Sequence, residues 1–311
     1  MDDDIEARLK DADSEVRRIA VMELVYSDVE DVLGCLLDAI TDSDASVRAE
    51  AAKALEGMEE DEAVTALLHA LSDSSEEVKQ AAAYSLAELK EPRHGAAILR
   101  KAAAPDPFVQ AAALRALREL RVPQAFDCAL SALASDSSAV RREAVGVLGY
   151  LKQPAALGPL TRIATNDGDA NVRRAAVGAL GYAADVDVLP ALSAALSDGS
   201  WQVREEAAGT MGKLLPAGAA PQLIAAMQDE YWQVRVRAAR SLGRMKVSAA
   251  VQSLIEALVH EISNLRKEAA IALGEVRDER AVPALESALG DVDPDVRKMA
   301  RLALVSIAQA A

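Results

Sequence analysis

Ten times along this chain of 311 residues a valine or leucine is followed four residues later by alanine and eight residues later by leucine or methionine. The anchors are Val16, Val47, Val78, Val109, Val140, Val172, Val203, Val234, Leu265 and Val296. Consecutive anchors lie 31 residues apart, with one step of 32. A fixed period of this size marks a solenoid: no unit can bury its apolar face alone, and stacked neighbours bury a continuous core. The expected fold is therefore all-α, an α-α superhelix of about ten 31-residue helix-pair repeats. Residues 1–311 read as a single continuous array, the first and last repeats being incomplete or capping.

Within a repeat the chemistry has a fixed order. Residues 281–306 begin a first helix at Ala281-Val282-Pro283, end it near Gly290, turn through Asp291-Val292-Asp293-Pro294, and start a second helix through Ala300 and Leu304. Proline thirteen residues before the anchor recurs as Pro159, Pro190, Pro221 and Pro283, in keeping with a helix's first turn, where a missing N–H costs nothing. Aspartate five residues before the anchor recurs in seven copies, where a short carboxylate can accept orphan backbone N–H groups. At about 100° per residue, the anchor and its +4 and +8 partners share one helix face. The +4 residue is alanine in all ten copies, which implies a helix crossing too tight for a larger side chain. Arginine or lysine follows nine of the ten anchors, Gln110 being the exception. Because the aspartate and arginine rows run in parallel, these cations are expected to pair with turn carboxylates of their own or the next repeat.

The unit Asp-x-x-x-x-Val-Arg-x-x-Ala-x-x-x-Leu-Gly resembles the HEAT-like repeats of the phycobilisome-lyase type, over the whole chain. The resemblance implies a right-handed superhelix of antiparallel helix pairs, with second helices lining its concave face. It implies little about function, because such repeats serve scaffolds, adaptors, bilin lyases, a hydroxylase and DNA-repair enzymes. Copy nine departs most, lacking the turn aspartates across His260-Glu261-Ile262-Ser263-Asn264, and copy four has Ala104 where others have aspartate.

Formal charge is −15, unevenly spread. Residues 1–91 hold 25 Asp/Glu against 8 Lys/Arg, a net of −17, while residues 92–311 are close to neutral. An acidic third repels phosphate backbones, so nucleic acid is not an expected partner. No apolar run approaches the roughly 18 residues of a membrane span, and the acidic start is unlike a secretory signal, so no membrane association and a cytoplasmic location are expected. Cys35 and Cys128 stand three repeats apart, about 25–30 Å at one helix spacing per repeat, too far to pair within the chain.

Positions not fixed by stacking are where binding residues can be sought. The two tryptophans of the chain, Trp201 and Trp232, share one slot two residues before the anchor in adjacent copies, about 10 Å apart by helix spacing. Large indoles where other copies carry small or polar groups fit an interaction hot spot; packing on turn side chains would equally explain them. Copies five to seven carry glycine at +6, as Gly146, Gly178 and Gly209, and again at +9. Helix-interior glycine costs about 0.5–1 kcal/mol relative to alanine, so these suit either a smooth floor for a ligand or close packing between copies. Arg142 and Arg174 at +2 supply charge beside this floor, together with Arg115, Arg118, Arg240 and Arg244, and Tyr150 and Tyr182 offer rings and hydroxyls.

Catalytic chemistry is not legible. His69, His94 and His260 stand at unlike offsets and form no metal-ligand cluster, and the single His260-Glu261 pair falls short of the several pairs of di-iron HEAT hydroxylases. No phosphate loop or nucleophile set can be argued from spacing, and no cofactor is expected. The expected function is a protein–protein interaction scaffold or adaptor, binding another protein or an acidic peptide through the central repeats. The alternative is a bilin-lyase-like enzyme or small-ligand-binding solenoid using the same groove. The acidic N-terminal third of a second molecule is a further candidate occupant, which would give self-association.

Overall fold

The computed structural model describes residues 2–183, 188–216 and 218–309, which form twenty α-helices and no strand. They fall into two units, Met1–Leu151 and Lys152–Ala311. The first unit holds the pairs α1 (Asp2–Arg8) and α2 (Ser14–Leu24), α3 (Val32–Ala39) and α4 (Ala45–Ala54), α5 (Asp61–Ala70) and α6 (Glu76–Ala87), α7 (Gly95–Lys101) and α8 (Pro107–Leu120), α9 (Ala125–Ala132) and α10 (Ser138–Leu151). The second holds α11 (Leu157–Asn166) and α12 (Ala170–Ala179), α13 (Leu189–Ala195) and α14 (Trp201–Leu214), α15 (Ala220–Ala226) and α16 (Trp232–Arg244), α17 (Val251–Ala257) and α18 (Ser263–Val276), α19 (Val282–Ala288) and α20 (Pro294–Ala308). The 32-residue step of the sequence period, Val140 to Val172, spans the boundary between the units.

In each unit the helices make two layers. Second helices pack on one another in chain order, α2 through α10 in one unit and α12 through α20 in the other, and every first helix packs on the second helix of its repeat. Local chemistry sets the ends. Asp13, Asp44, Asp106, Asp169 and Asp293 cap second helices by accepting from the backbone N–H two residues on, satisfying a donor the helix itself cannot. Pro190, Pro221 and Pro283 lie in the first turns of α13, α15 and α19.

The alanine row behaves as its invariance predicts: all ten are 0% exposed. The anchors and +8 residues are buried with two exceptions, Val16 in the first repeat and Leu304 in the last. Both lie on the outermost second helices described, α2 and α20. Cys35 and Cys128 are unpaired and partly buried, and burial pushes both thiols up from their ordinary value, so neither is an activated nucleophile.

The cations after the anchors join consecutive repeats. Arg17, Arg48, Arg173, Arg204 and Arg266 each donate through Nε and Nη2 to both carboxylate oxygens of the turn aspartate of the next repeat, Asp42, Asp73, Asp198, Asp229 and Asp291, at 2.7–3.0 Å. Each Nη1 meanwhile donates at 2.8–2.9 Å to a backbone carbonyl of its own turn. The aspartate also accepts the backbone N–H two residues on, so one carboxylate fixes a turn and clamps its neighbour. Arginine's planar fork suits this task and lysine's point charge does not. Where the next repeat lacks aspartate, the cation position finds other partners. Before Ala104 the cation is Lys79, which pairs with Glu76 at 2.6 Å and lies over the Phe108 ring. Before Ser135 the position holds the neutral Gln110, which donates to the Ala102 carbonyl. Before His260, Arg235 bonds the carbonyl of Asp229 in its own turn.

The ladder makes stability depend on pH. Arginine partners hold the carboxyls of Asp42, Asp73, Asp198 and Asp291 below their ordinary 3.8; at Asp229 burial pushes upward, but Arg204 and the Tyr231 N–H outweigh it. A depressed folded-state value means stabilisation fully present above the unfolded value and lost as pH falls through the folded one. Denaturation midpoints measured by circular dichroism are therefore expected to stay level from pH 7 to about 5 and to fall steeply below about 4. A midpoint unchanged down to pH 3 would contradict the ladder's role.

Candidate functional site

The outward face of the second helices carries the side chains not used in stacking. In the first unit Arg142 is exposed but bonds Glu143 at 3.1 Å, and Glu143 in turn accepts from Arg118 at 3.1 Å. Arg118 also pairs with Glu119, and its guanidinium and that of Arg121 lie over the exposed ring of Tyr150. The Arg118 side chain covers Gly146, where a Cβ would come within 3.0 Å of Arg118 Cδ. Three of the expected site residues thus gather around an internal ion-pair cluster, which reduces the positive charge they present.

The second unit holds the rest. Arg174 is exposed and has no ion pair among the described residues. The backbone at Gly178 and Gly209 is partly exposed, and an added Cβ would meet only side chains, Glu206 at 3.1 Å and Arg237 at 3.7 Å. Gly209 thus has room above its backbone, while the Glu206 side chain lies close over Gly178. Three +9 glycines differ: where a Cβ on Gly181 would make only ordinary side-chain contacts at 3.8 Å, one on Gly212, Gly243 or Gly274 would lie 3.0, 2.8 or 2.9 Å from the Cα of Ser241, Ala272 or Ala303 on the next second helix. Their role is close helix approach. Buried serines reinforce it, Ser241 donating at 2.7 Å to the Ala208 carbonyl and Ser85 at 2.8 Å to that of Ala52. Tyr182 does not offer its hydroxyl outward: it donates to the Gln153 carbonyl at 3.0 Å, and burial raises its ionisation above the ordinary range. Arg240 is bound bidentately by the buried Glu268.

Trp201 and Trp232 are the first residues of α14 and α16, both partly buried. Trp201 stacks on Tyr231, ring centroids 5.5 Å apart and planes 13° from parallel. The guanidinium of Arg204 lies 5.5 Å from the same Tyr231 ring. Trp201, Tyr231 and Arg204 thus form one stacked edge, continued by Trp232 in the following repeat. Sequence reasoning found both tryptophans but missed Tyr231, whose slot, three before the anchor, holds a small capping residue in most copies.

A second feature lies where no site residue was expected. Between the C-terminal ends of α16 and α18 and the face of α20 is an open pocket of about 490 Å³. Arg244, Lys246 and Arg277 stand around it with Glu275, over a floor of Gly243, Gly274 and Ala303 and a wall of Ile271, Met299 and Leu302. Among the described residues no group of three or more His, Cys, Asp or Glu side chains could hold a metal, and no helix is long and apolar enough to cross a membrane.

Comparisons with known proteins agree with this architecture. No curated protein matches the chain in sequence. Among solved structures, the Escherichia coli protein YibA is 19% identical with a TM-score of 0.59, over 96% of this chain and 98% of that one. An engineered protein is 22% identical with a TM-score of 0.53, over 98% of both. Yeast importin-β, Kap95p, is 15% identical with a TM-score of 0.68; all of this chain matches, spanning about half of the longer protein. Structures of Kap95p include a complex with Nup1 and one concerned with its binding to RanGDP. At these identities the likeness speaks for the fold. The model of the HEAT repeats matches residues 3–87, 95–170, 159–232 and 220–305, together nearly the whole chain. With its helix pairs, tight alanine crossings and Asp–Arg clamps, this chain belongs to the HEAT-repeat family.

Proposed function

We propose that the ten repeats act as one array and that the protein is a non-enzymatic adaptor, holding a protein partner against its second-helix layer. The observation that carries this reading is the aromatic edge of Trp201, Tyr231 and Trp232, partly solvent-exposed in adjacent repeats and stiffened by the stack on Arg204. Rigid aromatic groups beside arginine are the composition of interface hot spots. The partly exposed backbone at Gly178 and Gly209, and Arg174, which has no ion pair among the described residues, lie on α12 and α14, the helices that precede or include this edge, and can receive an extended segment. That Kap95p, a neighbour in fold, is found with protein partners supports the same class of function. Two free cysteines favour a reducing compartment such as the cytoplasm.

The test is affinity capture from source-cell lysate with the intact chain and the Trp201→Ala/Trp232→Ala variant in parallel, with far-UV circular dichroism on both. A protein retained by the first and lost by the second, at equal helicity, is the expected result. Retention of the same protein by both would move binding away from this edge, and no retained protein in either arm would count against an adaptor.

A further inference from the structure

Five second helices end in a conformation that costs free energy. Arg121, Lys246 and Arg277 all stand twelve residues after their anchors with φ between 52° and 59°, as do Lys152 and Leu215 with φ 52° and 50°. Glycine is the residue that closes a helix in the left-handed region without strain, and a β-carbon there costs roughly 1–2 kcal/mol. Lys246 and Arg277 are the two members of this row that border the pocket of the last three repeats. Both are exposed, as is Arg244 beside them, and none of the three has an ion pair among the described residues. Placing long cations where glycine would be more stable is accounted for if their charge is used.

The remaining lining narrows the ligand. Three cations face one carboxylate, Glu275, which leaves the rim positive. One wall is apolar, and Leu302 within it is 52% exposed. The pocket lies at the C-terminal ends of α16 and α18, which present carbonyl oxygens, not N–H groups. A compact phosphate would find no backbone donors there. An extended peptide, unlike a phosphate, brings N–H groups of its own to meet the carbonyls, while its carboxylates meet the three cations and an aliphatic side chain covers Ile271, Met299 and Leu302. A volume of about 490 Å³ accommodates such a side chain with its flanking backbone.

We propose that the pocket bordered by Arg244, Lys246 and Arg277 is a docking site for an acidic linear peptide carrying an aliphatic side chain, in a partner protein. This deepens the adaptor reading by naming the chemistry of one element of the partner, at a place separate from the aromatic edge.

The test uses fluorescence anisotropy with the full chain and a short fluorescein-labelled peptide of glutamates around a central leucine. Saturable binding at low ionic strength is expected, lost near 0.5 M salt as charges are screened over about 4–5 Å. In the Lys246→Gly/Arg277→Gly variant, affinity is expected to fall about tenfold while the thermal midpoint holds or rises, because glycine relieves both left-handed positions. Serine in place of the central leucine should weaken binding as well. The proposal is overturned by absence of saturable binding, by equal affinity in the variant, or by equal affinity of the serine peptide. Inorganic phosphate displacing the peptide at matched ionic strength would also overturn it, by assigning the cations to phosphate. If lysate capture through the tryptophans succeeds while the peptide fails, the adaptor reading stands and this pocket is not its docking site.

Discussion

Replacing Asp229 by alanine is expected to destabilise the second unit by about 3–5 kcal/mol, the largest effect of any single side-chain truncation in the ladder. The side chains of Arg204 and Asp229 are only 9% and 10% exposed. Arg204 donates to both Asp229 oxygens at 2.7 and 3.0 Å, and Asp229 accepts the Tyr231 N–H at 2.9 Å. Truncation leaves a desolvated guanidinium with its carbonyl partner Asp198 and the exposed Glu230, and frees the turn that starts α16. The penalty comes chiefly from the uncompensated charge, not from the attraction lost. Replacing both partners, as in Arg204→Met/Asp229→Leu, should therefore cost far less than the single change. Since a solenoid unfolds through its nearest-neighbour interfaces, the loss should appear first as reduced hydrogen-exchange protection in α14 and α16. Equal midpoints for Asp229→Ala and the intact protein, or a double variant as unstable as the single, would contradict this account. The same change would loosen the ring of Tyr231, coupling ladder and aromatic edge.

Ala176→Leu should lower stability by about 1–3 kcal/mol through overpacking. Ala176 is 0% exposed on α12, which packs against both α11 and α14. Leucine there must displace one of these helices or adopt a strained rotamer, because helix spacing is set by the side chains at the crossing. The outcome is read from the urea midpoint: a drop with little change in slope marks lost stability within the same fold. An unchanged midpoint would mean that the +4 alanine row does not mark the closest helix crossing, although it is fully buried in all ten repeats.

Much of this was legible because the determinants are local or periodic. Helix pairs follow from the spacing of Val, Ala and Leu, and the turns from Asp and Pro at constant offsets. The ladder was half legible: parallel Asp and Arg rows showed that cations and carboxylates would meet, but the offset alone left open whether they meet within a repeat or across two. Stacking decides for the next repeat, because the arginine's own turn presents carbonyls at its base while the neighbouring carboxylate sits at the reach of its fork. Glycines at +6 and +9 look alike in sequence, yet Gly274 faces the Cα of Ala303 and Gly209 faces only the end of Arg237.

The candidate site was less legible for the same reason. Arg118, Arg142 and Arg240 read as free cations along the chain, but their carboxylate partners come from other positions on the helix layer: Glu143 at the following residue and one repeat on, and Glu268. Tyr182 reads as an available hydroxyl until the fold brings the Gln153 carbonyl to it. The left-handed Lys246 and Arg277 stand twelve residues after their anchors, but residue type does not mark them, since a strained helix end closed by a cation looks like an ordinary charged loop. The sequence by itself determined what every repeat needs in order to exist, because those needs recur at a fixed spacing and are satisfied by near neighbours. Only the tertiary structure decided which charges remain unpaired and where a pocket opens, because both depend on what each face meets when one repeat is laid on the next.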